Sequence, residues 1–291
     1  MEDDARETMA TKGFFAALSS MDENMALVAL GGGAKPFNPI RRGNALNNSA
    51  SLVNPLVWAL RLGMDRVALI LCRQASTEDL RWGDAYGWTP LTSAALAGSL
   101  GVLDVISRVD DPARCRHSGG VTALMCAAES GDLPCLELLL PLSVLDARDK
   151  FGLSALEFAA KGGSALMIDR LAGLGLPLES GLGATALMVA AERGNLAIVE
   201  HLLTLCDPLS ADPRGGQTAL DIALCEVGYA PEIVDAIALK CGAEAIAQAL
   251  LAASAAGVEL PRCRRALAQF EAREIEGAVD VAGKSRPLRG L

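Results

Sequence analysis

The residues best suited to metal chemistry are eight cysteines and two histidines. Cys115 and His117 stand two positions apart, a spacing that would suit two zinc ligands. A structural zinc site needs about four ligands, and no Cys-x-x-Cys pair supplies the others. Cysteines scattered through a chain of this kind are typically buried or neutral thiols. We therefore expect no metal and no cofactor.

Nucleophilic catalysis and phosphate binding have little support. A hydrolase needs a nucleophile, a base and an orienting acid close together, but His117 falls in a predicted loop and His201 on the polar side of a predicted helix. The segment from Gly31 to Lys35 is glycine-rich, yet it lacks the Gly-x-x-x-x-Gly-Lys-Ser/Thr spacing of a phosphate-binding loop. The sequence therefore predicts a protein that is not an enzyme.

Composition narrows the partners and the compartment. The net charge of −9 repels phosphate backbones, so we expect no nucleic acid. No run approaches the length of a transmembrane helix, and the acidic start lacks the apolar segment of a secretory signal. These features favour a cytoplasmic monomer without membrane contact, and leave nuclear or cytoskeletal association open.

The elements that must position any functional side chain repeat along the chain. A glycine is followed two residues later by Thr or Ser, then by Pro or Ala, then by Leu. A fixed period of this length is typical of a stacked array, in which each unit buries its apolar face against the next. The glycines are Gly87, Gly120, Gly152, Gly183 and Gly216, at spacings of 33, 32, 31 and 33.

Each unit is predicted to be a helix, a turn and a second helix. In the unit that follows Gly87, the Thr89 hydroxyl can cap a first helix that begins at Pro90 and stops at Gly98. The apolar residues of 100–106 then supply the stripe of a second helix. Because aromatic residues make up only 4% of the chain, Leu and Ala must form the interior.

The array is predicted to occupy residues 51–270 in about seven units. Five are clearly marked, and two weaker ones, near Pro55 and near Leu250, stand at the ends, where repeats are usually atypical. Residues 1–30 form a helical segment that is a cap or an eroded repeat. Residues 31–50 are a linker rich in Gly, Asn and Ser, and 271–291 are a polar tail.

The pattern Asp84-x-x-Gly87-x-Thr-Pro-Leu91-x-x-Ala-Ala-x-x-Gly98 resembles the ankyrin repeat, as do its successors. Thr-Ala-Leu-Met at Thr122 and Thr185 is also similar to the ankyrin-only proteins expanded in some parasitic protists. The resemblance implies an all-α ankyrin-repeat solenoid of stacked helix-turn-helix units with short β-hairpin-like loops.

One family feature is missing from every unit. The family usually places histidine directly after the Leu, where its side chain hydrogen-bonds the backbone. Here we expect methionine to replace that histidine's packing but not its hydrogen bonds. The residues at this position are Val57, Thr92, Met125, Glu157, Met188 and Asp221.

The resemblance also implies a non-catalytic scaffold or adaptor for a protein partner, bound along a concave face made of loop tips and first helices. Three of only eleven aromatic residues fall at predicted tips, as binding hot spots would. The apolar candidates are Tyr86, Trp88, Val121, Phe151, Leu153 and Leu182. The polar candidates are Glu129, Glu192, Arg193, Arg214 and Gln217.

Two alternatives remain open at this point. Trp88 and Phe151 could simply pack on the adjacent repeat. The array could also be a structural spacer in a larger assembly, with no single partner on its concave face. A spacer would tolerate mutation of the apolar candidates and depend on its ends, whereas an adaptor would lose its partner.

Overall fold

The computed structural model describes residues 2–37, 54–84, 86–112, 117, 119–177, 185–211, 216–225, 230–270 and 272. The described residues are helices joined by turns and loops, without an extended strand. The chain divides into two compact units, Met1–Leu176 and Pro177–Leu291.

The first unit consists mainly of helix pairs. Its helices are α1 Glu2–Ser19, α2 Glu23–Gly31, α3 Pro55–Arg61, α4 Asp65–Gln74, α5 Thr77–Arg81, α6 Pro90–Ala97, α7 Leu100–Ser107, α8 Ala123–Ser130, α9 Leu133–Leu139, α10 Ala155–Gly162 and α11 Ala165–Ala172. The first helices α3, α6, α8 and α10 pack side by side in that order, and the second helices α4, α7 and α9 pack in a parallel layer. The predicted helix-turn-helix stack is confirmed.

Local sequence explains where the first helices begin and end. Thr89 caps α6 by accepting a hydrogen bond from the backbone N–H of Thr92, and Pro90 occupies the first helical position, where no amide partner is needed. The helix ends at Gly98, whose φ of 68° lies in the left-handed region that glycine tolerates best. This arrangement recurs in α8 and α10, which end at left-handed glycines.

Where the residue after the repeat's Leu is methionine, it accepts a backbone hydrogen bond that the sequence does not predict. In α8 the Sδ atom of Met125 lies 3.4 Å from the backbone nitrogen of Thr122 and accepts its hydrogen bond. Met188 accepts in the same way from Thr185. The prediction that methionine replaces only the packing of the missing histidine is therefore wrong. Sulfur is a weak acceptor, but it satisfies a buried amide that would otherwise have no partner.

The core consists of small and branched apolar side chains, as the composition predicts. Leu91, Ala94 and Ala95 of α6 are completely buried, and so are their equivalents in α8 and α10 to within about 1% exposure. Paired alanines let neighbouring first helices approach closely, because no longer side chain separates them. Their close packing follows from this repeated motif.

The N-terminal segment forms a helix pair that packs on the first repeat. Helix α2 contacts α4, and the Phe15 ring of α1 stacks on the Trp58 ring of α3 with centroids 6.4 Å apart. Asn54 then begins the array, since its side chain caps α3 and donates to the carbonyl groups of Asp79 and Trp82. Residues 38–53, which hold most of the predicted linker, lie outside the described residues.

The second unit contains α12 Ala186–Glu192, α13 Leu196–Leu202, α14 Ala219–Cys225, α15 Pro231–Cys241 and α16 Ala243–Ala256, followed by a helical segment at 261–270. Helices α12, α14 and α16 pack in order. The buried carboxylate of Asp235 accepts hydrogen bonds from the backbone N–H groups of Arg262 and Cys263, and so caps the last segment. The predicted tail lies outside the described residues except for residue 272.

The cysteines differ in accessibility, and this difference predicts their reactivity. The thiols of Cys72, Cys135, Cys225 and Cys263 are free. Burial raises the pKa of Cys72 to about 11 and is the main cause that raises those of Cys135 and Cys263 to about 12, whereas Cys225 is exposed. Because the thiolate is the nucleophile, iodoacetamide at about pH 8 should label Cys225 while the folded chain protects the other three.

Peptide mass spectrometry after timed labelling measures this order. Labelling in denaturant is the control, and it should make all four thiols react at similar rates. Equal rates for Cys225 and Cys135 in the folded chain would contradict the burial described here.

Candidate functional site

Three loops of the first unit connect one repeat to the next and share one geometry. The loops run from 84 to 88, from 117 to 121 and from 149 to 153, with residues 85 and 118 outside the described residues. In each, the backbone N–H of the first residue donates to the carbonyl of the fifth, over 2.8–2.9 Å. The fourth residue is a glycine with a left-handed backbone, at a φ of 84° for Gly87. We call these loops the tips.

The first side chain of each tip fixes the loop. One carboxylate oxygen of Asp84 accepts the backbone N–H groups of Tyr86 and Trp88, each over 2.9 Å. Asp149 does the same for Phe151 and Leu153, over 2.8 and 2.9 Å. Charge-assisted hydrogen bonds of this kind are stronger than neutral ones, so the aromatic residues start from a well-fixed backbone.

Two of the predicted aromatic residues are exposed. The exposed fractions are 70% for Tyr86 and 59% for Phe151. The ammonium group of Lys150 lies 5.0 Å from the centroid of the Phe151 ring, within the range of a cation–π contact. The alternative that Phe151 packs into the adjacent repeat therefore does not describe this side chain.

Trp88 fits the alternative that an aromatic residue at a tip packs on the adjacent repeat. It is half-buried, and its ring centroid lies 4.7 Å from that of His117 on the next tip. The guanidinium of Arg61 lies 6.0 Å from the same ring. Trp88 thus packs between repeats, and replacing it would alter stability together with any binding.

The other predicted residues of the first unit are less accessible. Val121 and Leu153 are half-buried, since they are the fifth residues of their tips. Glu129 is also half-buried and forms a 2.8 Å ion pair with Lys161. The Glu129–Lys161 pair links α8 to α10. Within α10, the Lys161 ammonium also lies 5.2 Å from the Phe158 ring centroid.

The remaining predicted residues do not lie in this unit. Glu192, Arg193 and Gln217 belong to the second unit, where they are exposed. Leu182 and Arg214 lie outside the described residues. The structure therefore brings together only the predicted residues on the tips of the first unit.

Sequence reasoning did not select three residues that contact the aromatic rings, namely Arg61, His117 and Lys150. A signal for His117 was available, because it stands three residues before Gly120, just as Asp84 stands three before Gly87. Its Nδ1 atom accepts the backbone N–H of Gly119 over 3.0 Å, and so replaces the tip aspartate. This hydrogen bond gives His117 a structural role.

Two further observations concern the described part of the chain. Its histidine, cysteine and acidic residues form no group of three or more that could hold a metal ion. Within the same residues, no helix has both the length and the apolar character needed to cross a membrane.

Stacked helix pairs joined by tips of one shared geometry define an α-helical repeat solenoid. Residues 119–150 match the family model of the ankyrin repeat, and residues 167–223 match a model of ankyrin repeats in many copies. These two stretches of the chain therefore carry ankyrin repeats. Such repeats are in general protein–protein interaction modules and generally non-catalytic. A comparison with curated proteins gave no match.

Proposed function

We propose that the chain is a non-catalytic scaffold or adaptor that binds a protein partner through the tips of its first unit. The observation that carries the proposal is the exposure of Tyr86 and Phe151 on tips that Asp84 and Asp149 hold in place. Large aromatic side chains on an ordered backbone lose little conformational freedom on binding, and they are enriched among hot spots.

The contrast with Trp88 supports this assignment. Trp88 occupies the same loop as Tyr86 but lies half-buried against His117, so the fold can use an aromatic residue at a tip for packing. Tyr86 and Phe151 are left largely in water instead. Burial of apolar surface is favourable by about 25 cal/mol per Å². A partner that covers both rings would therefore gain free energy that folding does not use.

The cell compartment and the oligomeric state form part of the same proposal. The free thiols of Cys72, Cys135, Cys225 and Cys263 fit a reducing compartment such as the cytoplasm. We take the chain to act as a monomer whose tips are available to a different protein.

A pair of double variants tests the proposal. Tyr86→Ser with Phe151→Ser removes both exposed rings, and Leu166→Ser with Leu251→Ser is the control, since these leucines have exposed fractions of 59% and 74% but lie on α11 and α16. Affinity purification with the wild-type chain identifies the partner, and binding is then measured with the purified partner. We expect the tip variant to raise Kd by more than about tenfold and the control to leave it unchanged.

Thermal unfolding separates binding from folding. Both variants change exposed residues, so each should alter the free energy of unfolding by no more than about 0.5 kcal/mol. Wild-type affinity in the tip variant would contradict the proposal and favour the structural spacer, whose contacts would lie at the ends of the array. Equal losses in both variants would also contradict it.

A further inference from the structure

We infer that the partner presents an acidic segment to a strip on the first unit formed by Arg61, Trp88, His117, Lys150 and Phe151, which we call the cationic strip. The inference rests on the proposed function, because it specifies the chemistry of the partner that binds the tips. It depends on the continuity of the strip and on which charges the strip exposes.

The members of the cationic strip follow one another across successive repeats. Arg61 lies 6.0 Å from the Trp88 ring, which lies 4.7 Å from the His117 ring. His117 accepts the N–H of Gly119, and the carbonyl of Gly119 accepts the N–H of Lys150 over 2.9 Å. The Lys150 ammonium then lies 5.0 Å from the Phe151 ring. The strip is therefore a single connected surface.

The strip exposes positive groups and covers negative ones. The Arg61 side chain is 52% exposed, and Lys150 is also exposed. The Asp84 side chain is only 4% exposed, and one of its oxygens accepts two backbone N–H groups of its own tip. Asp149 is half-buried and engaged in the same way. A partner therefore meets the cations before it meets these carboxylates.

Arg61 keeps most of its donors for a partner. Its Nη1 atom lies 4.0 Å from Asp84 Oδ2, at the outer limit of an ion pair. A guanidinium has five N–H donors, and their planar arrangement suits bidentate binding of a carboxylate. Lys150 adds a second cation beside an exposed ring, so the strip fits a peptide that carries acidic side chains next to apolar ones.

The negative charge of the whole chain does not prevent this contact. Electrostatic interactions are screened over about 8 Å at physiological ionic strength, so a carboxylate on the strip mainly senses Arg61 and Lys150. A nucleic acid would need several phosphate contacts along its length and would meet a chain of net charge −9. The strip offers two exposed cations among aromatic rings, which favours a short acidic peptide.

Fluorescence anisotropy with defined peptides tests the inference on the full chain. The probe is a labelled peptide of alternating glutamate and leucine, compared with the same peptide carrying lysine for glutamate and with single-stranded oligothymidine. We expect the acidic peptide to bind at least about tenfold more tightly than the lysine peptide, and to weaken as salt rises from about 0.05 to about 0.5 M.

Two double variants locate the binding. Arg61→Gln with Lys150→Gln should weaken the acidic peptide by about tenfold. Lys12→Gln with Arg73→Gln, two exposed cations on α1 and α4, makes the same change in net charge and should have little effect. The inference is overturned if no peptide binds at about 1 mM, if the control weakens binding equally, or if oligothymidine binds as tightly through the same residues.

The natural partner distinguishes this inference from the proposed function. If binding of the partner requires Tyr86 and Phe151 but its Kd does not change with substitution of Arg61 and Lys150 or with salt, the inference of an acidic segment is wrong and the proposed function stands. If neither pair of residues matters, the proposed function fails as well.

Discussion

Replacing Gly162 with alanine should lower the free energy of unfolding of the first unit by about 3 kcal/mol. Gly162 is the last residue of α10, and a Cβ atom built on it would overlap the backbone carbonyl oxygen of Glu129 in α8. A side chain could rotate away from such a contact, but a carbonyl oxygen in a helix cannot. The two first helices would have to separate.

The position of Gly162 explains why the loss is large. In a repeat array, stability is approximately the sum of the intrinsic stabilities of the repeats and the interactions between neighbours. Helices α8 and α10 form one of these neighbouring pairs, and the Glu129–Lys161 ion pair crosses the same contact. Moving α10 away from α8 would therefore weaken a whole interface and reduce the cooperativity of unfolding.

Urea unfolding followed by circular dichroism measures the effect. The control is Gly101→Ala on α7, where the nearest atom to the added Cβ is Leu69 Cδ1 at 4.0 Å. Alanine has the higher helix propensity, so this control should stabilise the chain by up to about 1 kcal/mol. Similar midpoints for Gly162→Ala and the wild type would show that α8 and α10 do not approach as described.

The sequence predicts the helical frame well because each unit carries its own start and stop signals. Thr89, Pro90 and Gly98 act within a single helix, so their effect does not depend on distant residues. The need for glycine at 162 depends instead on a carbonyl group of another repeat, 33 residues away. A single sequence carries no local signal for such an approach.

In the candidate site, too, the sequence predicts the local features but not the contacts between repeats. The repeat register predicts that Tyr86, Trp88 and Phe151 belong to tips, and the structure places them there. Exposure depends on the neighbouring side chains, and the Trp88 ring lies against the His117 ring of the adjacent tip. The register could have identified His117 as the replacement for a tip aspartate, but not the angle between the two rings.

The position that follows the repeat's Leu holds a buried carboxylate in one repeat. The side chain of Glu157 is completely buried in α10, where Oε2 accepts hydrogen bonds from the backbone N–H and the hydroxyl of Ser154. The other oxygen, Oε1, has no hydrogen-bond partner among the described residues. An unsatisfied buried polar atom costs about 1–3 kcal/mol, and more if the group is charged.

Glu157→Met should therefore stabilise the first unit by about 1–2 kcal/mol, as measured by urea unfolding. Met125 and Met188 already occupy the equivalent position, with exposed fractions of 1% each, and each accepts the N–H of its capping threonine through sulfur. Methionine at 157 would keep that acceptor for Ser154 and remove the unsatisfied oxygen.

The reciprocal change is the matched control. Met125→Glu introduces a carboxylate at the same buried position of the preceding repeat, and it should destabilise the first unit by about 1–3 kcal/mol, because one of its oxygens would be buried without a hydrogen-bond partner. A clear loss of stability in Glu157→Met would contradict the prediction and would mean that Oε1 has a stabilising partner. Opposite effects of the two substitutions would show that the chain tolerates Glu157 at a cost, and that methionine is the better replacement for the family's histidine.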